Sequence, residues 1–206
     1  MLLNQGDRVV FFGDSITQAH PGYVSFIGDM LKSLYAELQI EVINKGVGGD
    51  KVTSLLARVE RDVIAEDPDW VSISIGINDL WHGENGVPLG EYEEKLDELI
   101  RILKARTSAA IALCTPSVLN EDPDSDENAK LKGYVEASER VGAKHHVTIV
   151  PIHHAFIRGL RRARGTTDKA LFTTDGVHLN PAGAALFGTT WLKTAGAFED
   201  LLPKTI

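Results

Sequence analysis

Short apolar runs rich in β-branched residues alternate along this chain with stretches of helical periodicity. That alternation restricts the fold more than any other feature. Five runs read as strands: Arg8–Phe12, Ile40–Ile43, Trp70–Ile75, Ala109–Cys114 and Val147–Val150. Gly, Pro, Asn or Asp bounds them. Most lack a strict polar–apolar alternation, as expected of strands covered on both faces. Between them, Tyr92, Leu96, Leu99 and Leu103 fall on one helical face, with Glu93, Glu94 and Lys95 pointing away. Val52, Leu55, Leu56, Val59 and Val63 make a similar stripe, which Asp50 is placed to cap. Asn180-Pro181 is the start signal of a last helix, an N-cap followed by proline. The pattern predicts an α/β fold, with a parallel sheet between two layers of helices. With 206 residues and no internal repeat, it predicts a single domain over 1–206. The acidic stretch Asn120–Asn128 reads as a surface loop, because strand and helix patterns resume after it.

Charge excludes some functions. The net charge of −8 argues against a nucleic-acid partner, which would require a basic stripe. The cationic run Arg158–Arg164 reads as a solvated helix face. Cys114 is the only cysteine, so no intramolecular disulfide can form, and its apolar neighbours make it a small buried hydrophobe. The N-terminus has no basic segment leading into a long apolar stretch, and no run approaches a membrane span. The expectation is a cytoplasmic protein without a membrane partner.

Ligands of an open α/β sheet bind beyond the C-terminal ends of its strands. Gly13-Asp14-Ser15-Ile16-Thr17 follows the first strand, and Asn44-Lys45-Gly46-Val47-Gly48-Gly49-Asp50 follows the second. Gly76-Ile77-Asn78-Asp79 follows the third, and Asp175-Gly176-Val177-His178 precedes the last helix. One rim would therefore collect the parts of an acyl-transfer site. A serine hydroxyl attacks only when a base takes its proton, and His178 can be that base. Asp175, three residues earlier, can orient the ring. The backbone N–H of Ser15, that of a glycine within Gly46–Gly49 and the Asn78 amide can receive an oxyanion. Each fragment alone is more often a turn, a helix cap or a structural group than a catalytic one. Their joint occurrence at successive strand ends is what points to chemistry.

The four blocks resemble those of the SGNH hydrolase superfamily, also called the GDSL esterase/lipase family. Ile16 stands where the family name has leucine. The resemblance implies Ser15 as nucleophile, Asp175 and His178 as orienting acid and base, and Ser15, Gly49 and Asn78 as oxyanion donors. It implies a flavodoxin-like three-layer α/β/α fold with strand order 2-1-3-4-5, and no cofactor. Gly76–Trp81, with Asp69–Ile73 upstream, is similar to bacterial carbohydrate acetylesterases, notably xylan acetylesterases. A short-chain ester or acetylated saccharide is then the expected substrate, and a homo-oligomer the implied assembly. Trp81 offers an indole face for a sugar ring, with packing at a helix start as its alternative. Tyr23 invites the same reading. No long apolar lid is visible, which favours acetyl over long acyl chains. Lysophospholipase or thioesterase activity is the alternative for the same machinery. A phosphate- or flavin-binding module would have to use Gly46–Gly49, which lacks the Lys-Ser/Thr ending of a phosphate loop. The pairs His145-His146 and His153-His154 are poor chelates, because neighbours on a strand face opposite ways. No catalytic metal is expected.

Overall fold

In the computed structural model, which describes residues 2–165 and 170–198, five strands form one parallel sheet. The strands are β1 (Arg8–Gly13), β2 (Glu41–Gly46), β3 (Trp70–Ser74), β4 (Ala110–Cys114) and β5 (Thr148–Val150). Their order is β2-β1-β3-β4-β5, and every pairing is parallel. The helices are α1 (Ser15–Gln18), α2 (Tyr23–Leu34), α3 (Val52–Asp62), α4 (Ile77–Trp81), α5 (Leu89–Arg106), α6 (Asp126–His145), α7 (Ile152–Ala163) and α8 (Pro181–Thr194). The order and the helical flanks match the expectation. The expected domain over 1–206 extends past the described residues.

Two neighbours on β1 show how the layers form. Phe11 packs against Tyr23 of α2 and Trp191 of α8. Phe12 lies under the Arg58 guanidinium of α3, 4.4 Å from its ring centre. Successive strand residues face opposite ways, so α2 and α8 cover one side of the sheet and α3 the other. β1, β3 and β4 are buried through almost their whole length, consistent with near-continuous apolar runs.

The second strand runs three residues beyond its expected end. Asn44, Lys45 and Gly46 stay in register with Phe11, Phe12 and Gly13. β2 is a half-exposed edge strand, where polar residues cost little, so its polar end reads as loop. The acidic stretch divides too: Asp126–Asn128 is the first turn of α6, capped by the Ser125 hydroxyl on the Asn128 N–H. Asn180 caps α8 as expected, accepting from the N–H groups of Ala182 and Gly183. Asp50 does not cap α3. Its carboxylate is held by Arg58 at 2.7 Å, and the side chain that receives the Val52 N–H is Asp79 at 3.0 Å. Arg161 and Arg164 reach across to Asp124, and Cys114 is buried with its thiol pushed up to about 12 by desolvation. Among the described residues, no helix is long and apolar enough to cross a membrane.

Candidate active site

The strand ends and helix starts converge on Ser15. It opens α1 immediately past β1, and the Asp14 carboxylate caps that turn through the Ile16 N–H at 3.0 Å. Close backbone approach sets the turn. A Cβ on Gly13 would lie 2.3 Å from the Thr17 hydroxyl oxygen and 2.4 Å from the Ser74 carbonyl oxygen. Only glycine fits there. Asn44, at the end of β2, donates from its amide to the Thr17 carbonyl at 2.7 Å and locks the far side of the turn.

The base arrives from 163 residues away in sequence. His178 Nε2 lies 3.0 Å from Ser15 Oγ, and His178 Nδ1 lies 2.7 Å from Asp175 Oδ2. The other Asp175 oxygen accepts the backbone N–H groups of Val177 and His178 at 3.0 and 2.8 Å. Burial pulls the Asp175 carboxyl upward, but the imidazole and the two N–H groups outweigh it and hold it at about 2. Asp175 is therefore an acceptor, so Nδ1 carries the ring proton and Nε2 is left to accept from the Ser15 hydroxyl.

The candidate oxyanion donors come from three segments. Asn78 is buried and donates one amide hydrogen to the Asp50 carbonyl at 2.9 Å. The N–H groups of Ser15, Gly48 and Gly49 have no hydrogen-bond partner among the described residues. Gly49 has a φ of 80°, and a Cβ there would meet open space. A Cβ on Gly48 would point toward Gln18 and Ser15.

The two aromatic candidates separate. Trp81 ends α4 with 53% of its surface exposed, so it is not a core residue. Tyr23 is 1% exposed, its ring stacked on Phe187 and its hydroxyl 2.9 Å from that of Thr17. The expectation of a substrate wall at Tyr23 is corrected: it supports the nucleophile turn from below. In the histidine pairs, His145 bonds Asp97 and the His153 ring donates to the Ser117 carbonyl.

Comparisons with known proteins identify the family. The model of the GDSL-like lipase/acylhydrolase family matches residues 11–186. The chain belongs to that family. It is a serine ester hydrolase with a five-stranded parallel sheet. It is 33% identical to an acetylxylan esterase of Geobacillus stearothermophilus, over 95% of this chain and 97% of that one. The crystal structure of the acetylxylan esterase Axe2 from the same organism superposes with a TM-score of 0.86, at 33% identity over 95% and 97% of the two chains. An α/β hydrolase from the metagenome of Lake Arreo, Spain, gives 0.89 at 28% identity over 97% and 99%. Structures of Axe2 described as catalytic mutants replace a serine, an aspartate or a histidine by alanine.

Residues outside the four motifs also build this site. Arg58 donates to the carbonyls of Gly13 and Lys45 and to the carboxylates of Asp50 and Asp62, joining the nucleophile strand to the glycine loop. No local pattern marks it, because it reads as one more polar position of an amphipathic helix.

Proposed function

We propose that this protein removes acetyl groups from a carbohydrate through an acyl-enzyme on Ser15. The observation that carries this reading is the relay from Asp175 through His178 to Ser15, with contacts of 2.7 and 3.0 Å. His178 takes the hydroxyl proton as Ser15 attacks the ester carbonyl, and Asp175 stabilises the imidazolium. The oxyanion is received by the N–H groups of Ser15 and Gly49 and the second amide hydrogen of Asn78. One such donor typically lowers a barrier by about 3 kcal/mol. His178 returns the proton to the departing sugar hydroxyl, then activates a water that cleaves the acetyl-enzyme.

Three observations favour acetyl on a sugar. The large apolar side chains exposed on the motif-bearing segments are Val47 and Trp81, which make no trough for a long chain. An exposed indole beside the Asn78 helix suits a sugar ring, and the acetylxylan esterase relative covers nearly the whole chain. A cytoplasmic, homo-oligomeric protein belongs to the same reading, and cell fractionation and light scattering test those two features.

The test is a panel of 4-nitrophenyl esters of rising chain length, run beside acetylated xylose. Acetyl should be cleaved fastest, and S15A should be inactive. Octanoyl esters cleaved faster than acetyl would overturn the substrate, and unchanged turnover in S15A would overturn the mechanism.

A further inference from the structure

The loop that carries Asp175 and His178 hangs from a carboxylate outside every motif. Residues 171–180 fold back on themselves without extended secondary structure. Thr173 and Leu179 form an isolated antiparallel bridge, the Thr174 N–H donates to the His178 carbonyl at 2.8 Å, and the Asn180 N–H donates to Phe172 at 2.9 Å. The N–H groups of Leu171, Phe172 and Thr173 have no strand to receive them.

Glu121 takes all three. Its Oε1 accepts the N–H groups of Phe172 and Thr173 at 2.7 and 2.6 Å and the Thr173 hydroxyl at 2.8 Å. Its Oε2 accepts the Leu171 N–H. The preceding residue grips the loop on the other side of Asp175. Asn120, with φ of 57°, donates its N–H to the Gly176 carbonyl at 2.7 Å. Gly176 has a φ of 90°, and a Cβ there would lie 2.5 Å from Asn120 Oδ1, so only glycine lets the two corners meet.

The geometry points to Glu121 as the positioning residue of the catalytic base, holding the 171–173 backbone so that His178 reaches Ser15. This rests on the Ser15–His178 mechanism proposed above. His178 is partly exposed and belongs to no helix or strand, so packing does not fix its ring. The loop's tethers set the 3.0 Å contact instead. Hydrogen bonds to an ionised carboxylate are about twice as strong as neutral ones, and this one accepts four. Burial opposes ionisation of Glu121, but the donors outweigh it and keep the carboxyl below its ordinary range. Among the described residues, Asp14 is close enough to His178 to feel its charge, and Asp122 and Asp124 pair with Arg161 and Arg164. None of their hydrogen bonds is to residues 171–173.

The test compares wild type, E121Q and T173V. Glutamine sets an NH2 group against N–H donors, and T173V removes one of the four donors. A displacement of about 1 Å can cost about 100-fold in rate. In E121Q, kcat on 4-nitrophenyl acetate should fall about 10–100-fold with KM within about twofold. T173V should lie between it and wild type. The low-field Nδ1 proton resonance of His178 in the Asp175 hydrogen bond should broaden in the same order. A purely structural role would lower the folded fraction and leave both readouts, per fluorophosphonate-titrated site, at wild-type values. That result would overturn the assignment. Should E121Q fail to fold, T173V decides by the same readouts. Should wild type lack esterase activity, the functional reading falls, and the His178 resonance still decides the role of Glu121.

Discussion

Asp79 caps a helix that starts 27 residues before it: its Oδ1 accepts the Val52 N–H at the head of α3 at 3.0 Å. Its neighbour Asn78 donates to the Asp50 carbonyl, two residues upstream of Val52. Adjacent side chains of α4 therefore fasten the glycine loop and the helix that follows it. Asp79 Oδ2 has no partner among the described residues, and desolvation pushes this carboxyl up to about 6. Asp14, buried beside the nucleophile, is pushed up to about 7 by the same cause.

These two carboxyls predict how stability depends on pH. Between about pH 4 and 7 the folded state keeps protons that the unfolded chain, with ordinary carboxyls, has released. Stability should fall as pH rises through that window and level off above it. Carboxyls held at about 2 act oppositely: Asp62 by Arg61 and Arg58, and Asp175 by its imidazole and backbone donors against its burial. Their contribution is lost as pH falls below about 4. Urea unfolding should therefore show a maximum near pH 4–5. In D79N the decline toward pH 7 should flatten, because the amide oxygen can keep the cap without ionising. A wild-type curve that rises from pH 5 to 7 would contradict this.

How much of this was legible in the sequence depended on whether the information was local. The five strands and the His178–Asp175 turn follow from short runs and a three-residue spacing, the strand order from the family resemblance alone, and the chain realises all three. Asp50 looked like the cap of α3 because it stands next to that helix. The cap comes from Asp79 because Arg58 draws the Asp50 carboxylate away. Tyr23 looked like a candidate for the rim because it follows the nucleophile turn, yet helical periodicity turns its ring onto Phe187. Glu121 acts on residues 50 and more positions away, and the acidic stretch around it reads only as loop. Long-range pairings of this kind leave no mark on local patterning.

Arg58 should be the most costly surface-distant charge to remove. It is 8% exposed, and its removal leaves Asp50 with unmatched charge in a poorly solvated site and Asp62 with Arg61 as its remaining partner. Breaking a buried ion pair from one side typically costs about 3–5 kcal/mol. R58A should lose about that much in urea unfolding. R58K keeps a charge but cannot serve two carboxylates and two carbonyls at once, so it should recover only part. A loss under about 1 kcal/mol for R58A would show that the network is not structural.

Asp175 should matter for rate and little for the fold. It is exposed, and its hydrogen bonds lie within its own turn. D175N would offer an amide hydrogen to Nδ1 and favour the tautomer that protonates Nε2, which cannot accept from Ser15. Turnover should drop by about three to four orders of magnitude with the thermal midpoint nearly unchanged. Because the wild-type carboxyl lies at about 2, Asp175 stays ionised across the acid limb of kcat/KM, which should follow a single proton. A limb of slope two would mean that a second group, with Asp14 the first to examine, must also be ionised for catalysis.

Trp81 offers the sharpest separation of substrate from chemistry. Its ring is exposed and stands three residues past Asn78, on the same short helix. Among the described residues, no hydrogen bond or ring contact joins it to Ser15, His178 or Asp175. If it stacks on the sugar, W81A should leave kcat and KM for 4-nitrophenyl acetate within about twofold. The same variant should raise KM for acetylated xylo-oligosaccharides about tenfold, the loss expected of one aromatic contact worth about 1.5 kcal/mol. The effect should grow with the length of the saccharide if the ring grips a neighbouring sugar, and stay constant if it grips the acetylated one. Equal losses on both ester classes would move Trp81 from the alcohol side of the site to the acyl side.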